Sequence, residues 1–168
     1  MTLKISSTVR LALIASATLS IAACASHPKP TPAPPPPAPT GPVPGSVQDF
    51  LLKSGGDRVY FDYDKFDIRS DAAPILDAQA AWLDRYPAVK VRIEGNADER
   101  GTREYNFALG SRRANAVRDY LVAHGVAASR ISTVSYGKER PIDPGEGEEH
   151  WSHNRNGHTA ITDGAVGG

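Results

Sequence analysis

The chain has 168 residues, with 19 basic and 19 acidic side chains and no formal net charge. That length suits one compact domain with extensions, and the balanced charge excludes the basic face that nucleic-acid binding needs. The single cysteine, Cys24, excludes an internal disulfide. No later segment approaches the ~18 consecutive apolar residues of a membrane span.

Residues 1–23 read as a secretory signal. Lys4 and Arg10 make a positive start, and residues 11–23 are apolar or small and carry no charge. The stretch ends Leu19-Ser20-Ile21-Ala22-Ala23-Cys24. Small residues before a cut site fit the narrow pocket of a signal peptidase. A cysteine directly after them resembles the bacterial lipobox, in which the thiol is acylated and becomes the mature first residue. The alternative is an ordinary signal peptide with an incidental cysteine. One acyl chain anchors only marginally, at about 0.8 kcal/mol per buried methylene. The three chains of lipobox proteins anchor for good. Ala25 follows the cysteine where an Asp often retains such proteins in the inner membrane, so the outer membrane is favoured.

Residues 28–44 hold ten of the fourteen prolines. Such a stretch cannot bury a core or form a ladder. It reads as a semi-rigid tether over residues 24–45, at roughly 3.1 Å per residue. A ligand for a proline-binding module is the other reading.

From Ser46 to the end the composition becomes that of a globular domain. Val59, Phe61 and Tyr63 alternate with Tyr60 and Asp62, which predicts a strand. A helix follows, opened by Ser70 or Asp71, with Pro74 in its first turn and Leu76, Ala80 and Leu83 as its buried stripe. Tyr86-Pro87 ends it. Val89, Val91 and Ile93 face one side of a second strand, with Lys90, Arg92 and Glu94 on the other. A polar loop over residues 95–101 leads to a long helix from Thr102 to His124, stopped by Gly125. A third strand near residues 131–135 and a last one near residues 158–162 complete the order. The pattern predicts an α/β (α+β) two-layer sandwich of βαβαββ type, with a mixed four-stranded sheet and helices on one face.

The polar loop joins a strand's carboxyl end to a helix start, a usual ligand position in α/β sheets. Backbone N–H groups there favour an anion, and Asp98 is placed to accept from a cation. Asn106, Gly110 and Arg113 share one helix face. The central glycine lets something approach closely. Leu109 and Val117 flank Arg113, so its guanidinium should be partly desolvated and hold a carboxylate. A ligand could supply that carboxylate, or Asp98 could, through an internal ion pair.

Four runs then carry a resemblance. They are Val59-Tyr60-Phe61-Asp62-Tyr63-Asp64-Lys65, Glu94-Gly95-Asn96-Ala97-Asp98-Glu99-Arg100-Gly101-Thr102-Arg103-Glu104-Tyr105-Asn106, Arg112-Arg113-Ala114-Asn115-Ala116-Val117, and Val134-Ser135-Tyr136-Gly137-Lys138-Glu139-Arg140-Pro141. Together they resemble the OmpA C-terminal-domain family, and within it the peptidoglycan-associated lipoproteins rather than OmpA itself. The resemblance implies an OmpA-like domain and no enzyme, metal or cofactor. It implies a non-covalent grip on diaminopimelate of the peptidoglycan stem peptide, with Asp98 taking the ammonium and Arg113 a carboxylate. Tyr63, Asp64, Arg100, Thr102, Asn106 and Leu109 would line the pocket. It also implies a periplasmic propeller partner, TolB, at an overlapping site, with Glu99, Arg100, Glu139 and the start of the long helix as contacts. The chain departs from the family at Asn96, where His is common, at Asn156, where a second Arg is usual, and in the acidic segment 146–149.

Two other chemistries fit the residues poorly. His150, His153 and His158 lack the i, i+4 helical spacing of a zinc site. Asp98 and Glu99 as an acid–base pair would have to converge on one bond from adjacent positions in a tight loop.

Overall fold

The computed structural model describes residues 41–167, so the leader, Cys24 and most of the proline-rich tether lie outside the described residues. In chain order the elements are α1 (Val47–Ser54), β1 (Arg58–Tyr60), α2 (Ala73–Arg85), β2 (Lys90–Asn96), α3 (Arg103–Ala123), β3 (Ile131–Gly137), α4 (Glu148–Asn154) and β4 (Asn156–Asp163). The sheet runs β1-β4-β2-β3. β2 and β3 are parallel, and β4 is antiparallel to both β1 and β2. This is the expected mixed βαβαββ sheet, with two helices that the pattern does not predict.

The period-2 alternation of β2 decides its faces. Val89, Val91 and Ile93 are buried with Leu76, Leu83, Val117 and Leu121 from the helices. On the paired strand, Gly157 turns toward Val117 of α3, and the Thr159 hydroxyl donates to Gln79 of α2 (2.8 Å). The opposite face is polar, with Glu94 bonded to both Arg92 and His158.

Three local expectations change. β1 stops at Tyr60, although the Phe61 N–H still donates to the Arg155 carbonyl (2.9 Å). Beyond it the chain bends outward, leaving Tyr63 exposed and Asp64 in a left-handed conformation (φ 57°). α2 is preceded by Ala72, whose methyl side chain cannot cap it, while the Asp71 carboxylate pairs with Arg69 (2.8 Å). Pro74 still occupies the first turn, and Leu76, Ala80 and Leu83 are buried as predicted.

α1 and α4 are short and carry no long apolar stripe. α1 nonetheless has both of its punctuation marks, a Ser46 side-chain cap and a left-handed Gly55. It seats Phe50 edge-on against Trp82 (5.0 Å), while Asp49 accepts from the Trp82 indole (2.9 Å) and the Gly45 amide (3.0 Å). α4 begins at Glu148 and Glu149, so the second half of the apparent acidic loop is a helix start, where negative charge is favoured.

Candidate functional site

The site is built where β2 ends and α3 begins. Thr102 caps α3 by accepting from the Tyr105 amide (3.2 Å), which fixes the angle at which the polar loop enters the helix. Two glycines then let helix and sheet meet backbone to backbone. A Cβ on Gly95 would lie 1.8 Å from the Gly110 carbonyl oxygen, and one on Gly110 would lie 2.7 Å from the Gly95 oxygen. What approaches the helix at Gly110 is therefore the strand β2 itself. This close packing turns the Asn106–Gly110–Arg113 face inward, beneath the loop.

All eight predicted pocket residues (Tyr63, Asp64, Asp98, Arg100, Thr102, Asn106, Leu109 and Arg113) line one cavity of about 320 Å³. Gly101, Tyr105 and Arg155 line it too. Asn106 is structural as well as lining, since its amide donates to the Arg100 carbonyl (2.8 Å) and pins the loop. The Tyr105 hydroxyl donates to Asp64 across the rim. Leu109 is the buried apolar wall.

Arg113 is fully buried, at 0% exposure. Its Nε donates to the Lys65 carbonyl (2.8 Å), Nη1 to that of Asn96 (2.8 Å) and Nη2 to that of Asp62 (3.1 Å). A guanidinium has five N–H donors, so two remain beyond these three bonds, on a residue that lines the cavity. Among the described residues no carboxylate lies within ion-pair distance, so the internal Asp98–Arg113 pair does not form. Burial pulls the Arg113 pKa down to about 10, with the Asp98 charge opposing and that of Arg155 adding to the fall. It remains a cation at neutral pH.

Asp98 is also buried, at 4% exposure. Its partners are Arg100 (2.5 Å) and Arg155 (3.3 Å). Burial pushes its pKa up, but the hydrogen bonds from the Arg100 side chain, the Arg100 amide and Arg155 outweigh that and hold it below the ordinary value. Arg155 is fixed by the Phe61 carbonyl (3.1 Å) and by Glu148 (2.5 Å). Nothing in residues 95–113 signals Arg155. It lies 57 residues from Asp98 and reaches it only because β4 pairs with β2.

The two family departures touch each other. Asn96 donates its amide to the Asn156 side-chain oxygen (2.9 Å), and Asn156 donates on to the His153 carbonyl (2.7 Å). Both are buried and hydrogen-bonded, so the pair ties the end of β2 to the start of β4, with Arg58 also donating to the Asn156 oxygen (3.0 Å).

The other candidate clusters have partners of their own. His150 and His153 both bond Asp143 (2.7 and 2.9 Å), which holds its pKa down at about 2. His158 lies between Asp57 and Glu94 on the far face of the sheet. Glu99 turns away from Asp98 to accept from the Trp151 indole (3.0 Å). A larger cavity of about 590 Å³ lies beside the start of α3, lined by Phe107, Tyr136 and an exposed Arg103–Glu139 pair (3.2 Å). It contains no buried charge.

Comparison with known proteins agrees with this architecture. The model of the OmpA family matches residues 60–155. A peptidoglycan-associated lipoprotein of Rhizobium meliloti is 54% identical over 118 residues, covering 70% of this chain and 66% of that protein, just under two thirds of its length. One of Haemophilus influenzae is 46% identical over 143 residues, covering 85% of this chain and 91% of that protein. The crystal structure of the peptidoglycan-associated lipoprotein from Burkholderia pseudomallei superposes with a TM-score of 0.64 at 37% identity, covering 68% of this chain and 100% of that one. The chain belongs to the OmpA family, among relatives that are peptidoglycan-associated lipoproteins.

Proposed function

We propose that the domain holds peptidoglycan non-covalently by the free end of diaminopimelate in the stem peptide. The domain is a binding domain and not an enzyme, in keeping with its family. The observation that carries the reading is Arg113, a buried cation that lines the cavity, with two N–H groups to spare and no carboxylate partner among the described residues. Burying a charge without a counter-charge is costly, and a ligand carboxylate relieves that cost. Asp98, which lines the same cavity, takes the ligand's ammonium. Charge-assisted bonds of this kind contribute about 1.5–3 kcal/mol each. That strength suits reversible attachment to a polymer with many identical stems. With Cys24 acylated, the chain would tie the outer membrane to the wall from the periplasmic side, as part of the Tol-Pal system in envelope integrity and cell division.

The test is sedimentation of the full-length protein, in detergent, with sacculi containing diaminopimelate. Asp98→Asn removes the charge at nearly constant volume and should reduce binding at least about tenfold, the loss of one charge-assisted contact. Undiminished sedimentation of this variant would rule out the proposed ammonium site. The lipid anchor has its own test. Cys24→Ser should abolish incorporation of a fatty-acid probe, and strong labelling of the serine variant would refute the anchor.

A second reading is favoured by one observation. Tyr105 and Phe107 are exposed on the first turns of α3, beside the cavity rim. Exposed aromatics at a rim suit a protein partner. A TolB-like propeller seated there would compete with the wall for the same entrance.

A further inference from the structure

We infer that Arg100 is an internal competitor for the ammonium site, so that the pocket is closed by its own cation until a ligand displaces it. This rests on the wall-binding reading and adds a control to it. Asp98 has no acceptor to spare. A carboxylate offers about four lone-pair positions. One oxygen accepts from the Arg100 amide (3.2 Å) and from Arg100 Nε (3.3 Å). The other accepts from Arg100 Nη2 (2.5 Å) and from Arg155 Nη1 (3.3 Å). All four positions are filled, so an incoming ammonium finds no free acceptor there. One side chain has to leave. Arg155 is buried and held by the Phe61 carbonyl and Glu148. Arg100 has 29% of its side chain exposed and can swing outward.

Arg100 is also held down from above. Its guanidinium lies between the Tyr63 ring (4.0 Å) and the Trp151 ring (4.3 Å). Glu148 draws it from the same side (3.5 Å). Trp151 and Glu148 both belong to α4, and Glu99 fixes the Trp151 indole (3.0 Å). α4 is thus a clasp on the competing cation. An arginine is suited to this position because its planar head stacks between two rings while it pairs with a carboxylate. The closed form lowers the apparent affinity by the fraction of time the site is open. Arg100, which family resemblance places among the binding residues, here opposes binding.

The experiment is calorimetric titration of the full-length protein, in detergent, with the tripeptide L-Ala-γ-D-Glu-meso-diaminopimelate. Arg100→Ala should bind roughly tenfold tighter than the unchanged protein, the factor for an open form populated on the order of a tenth. Arg100→Lys keeps a cation without the flat head and should fall between the two. Trp151→Ala leaves the charge and removes one stacked face, so it should tighten binding by a smaller factor. Equal or weaker binding by Arg100→Ala, with binding still lost in Asp98→Asn, would overturn the competitor and leave the wall-binding site standing. If the unchanged protein and all these variants fail to bind the tripeptide, the wall-binding reading fails and the competitor falls with it.

Discussion

Replacing Arg113 by alanine is expected to abolish sedimentation with sacculi and to lower the unfolding free energy by about 3–5 kcal/mol. Both effects come from one group. The guanidinium bonds the Lys65, Asn96 and Asp62 carbonyls, which belong to the β1–α2 loop and the end of β2. Truncation removes three charge-assisted bonds, at roughly 1.5–3 kcal/mol each before relaxation or water entry, although the Asp62 carbonyl keeps the Lys65 amide (3.2 Å). It also empties the volume of the largest fully buried side chain. Asp98→Asn should behave differently, because Arg100 and Arg155 can still donate to the remaining amide oxygen. Chemical denaturation of the two variants separates them. A stability change below about 1 kcal/mol for Arg113→Ala would show that the three carbonyl bonds do not hold the loop.

Gly95→Ala should be the most damaging single methyl in the domain, costing at least about 3 kcal/mol or preventing folding. The new Cβ would sit 1.8 Å from the Gly110 carbonyl oxygen and 2.6 Å from its carbon. These are backbone atoms in the middle of α3, so no rotamer change relieves the clash. The helix has to lift off β2, and that separates Arg113 from the Asn96 carbonyl at the strand end and from the loop that carries Asp98. Gly110→Ala meets the Ser135 hydroxyl at 2.4 Å and the Gly95 oxygen at 2.7 Å, so it should be damaging to a lesser degree. Thermal melts followed by circular dichroism give the order directly. A melting temperature for Gly95→Ala within about 4 °C of the unchanged protein would mean that α3 and β2 do not meet backbone to backbone at this point.

Most of the scaffold is legible in local patterns. The alternation of Val89, Val91 and Ile93 predicts β2 and its buried face, because side-chain direction in a strand has a period of two. Thr102 and Gly125 bracket α3 within a residue or so, because caps answer to groups one turn away. α1 and α4 escape the same treatment. With eight and seven residues, each is too short to show a repeated stripe, and their helicity comes from docking. β1 is read as too long because Tyr63 continues an alternation that the chain abandons after Tyr60.

The cavity that opened the functional argument shows where the sequence stops. Residue types, spacing and family motifs determine that Asp98, Arg100, Asn106, Leu109 and Arg113 belong to one place, since they lie within one loop and one helix. Only the tertiary structure decides which charges are satisfied there. It pairs Asp98 with Arg100 and with Arg155, leaves Arg113 on three backbone carbonyls, and sets Asn96 against Asn156 from 60 residues away. The physical reason is that periodicity reports the direction of a side chain within its own element. Hydrogen bonds and ion pairs depend on distances of a few ångströms between elements, and those are fixed by strand register and by the glycine contact of α3 with β2.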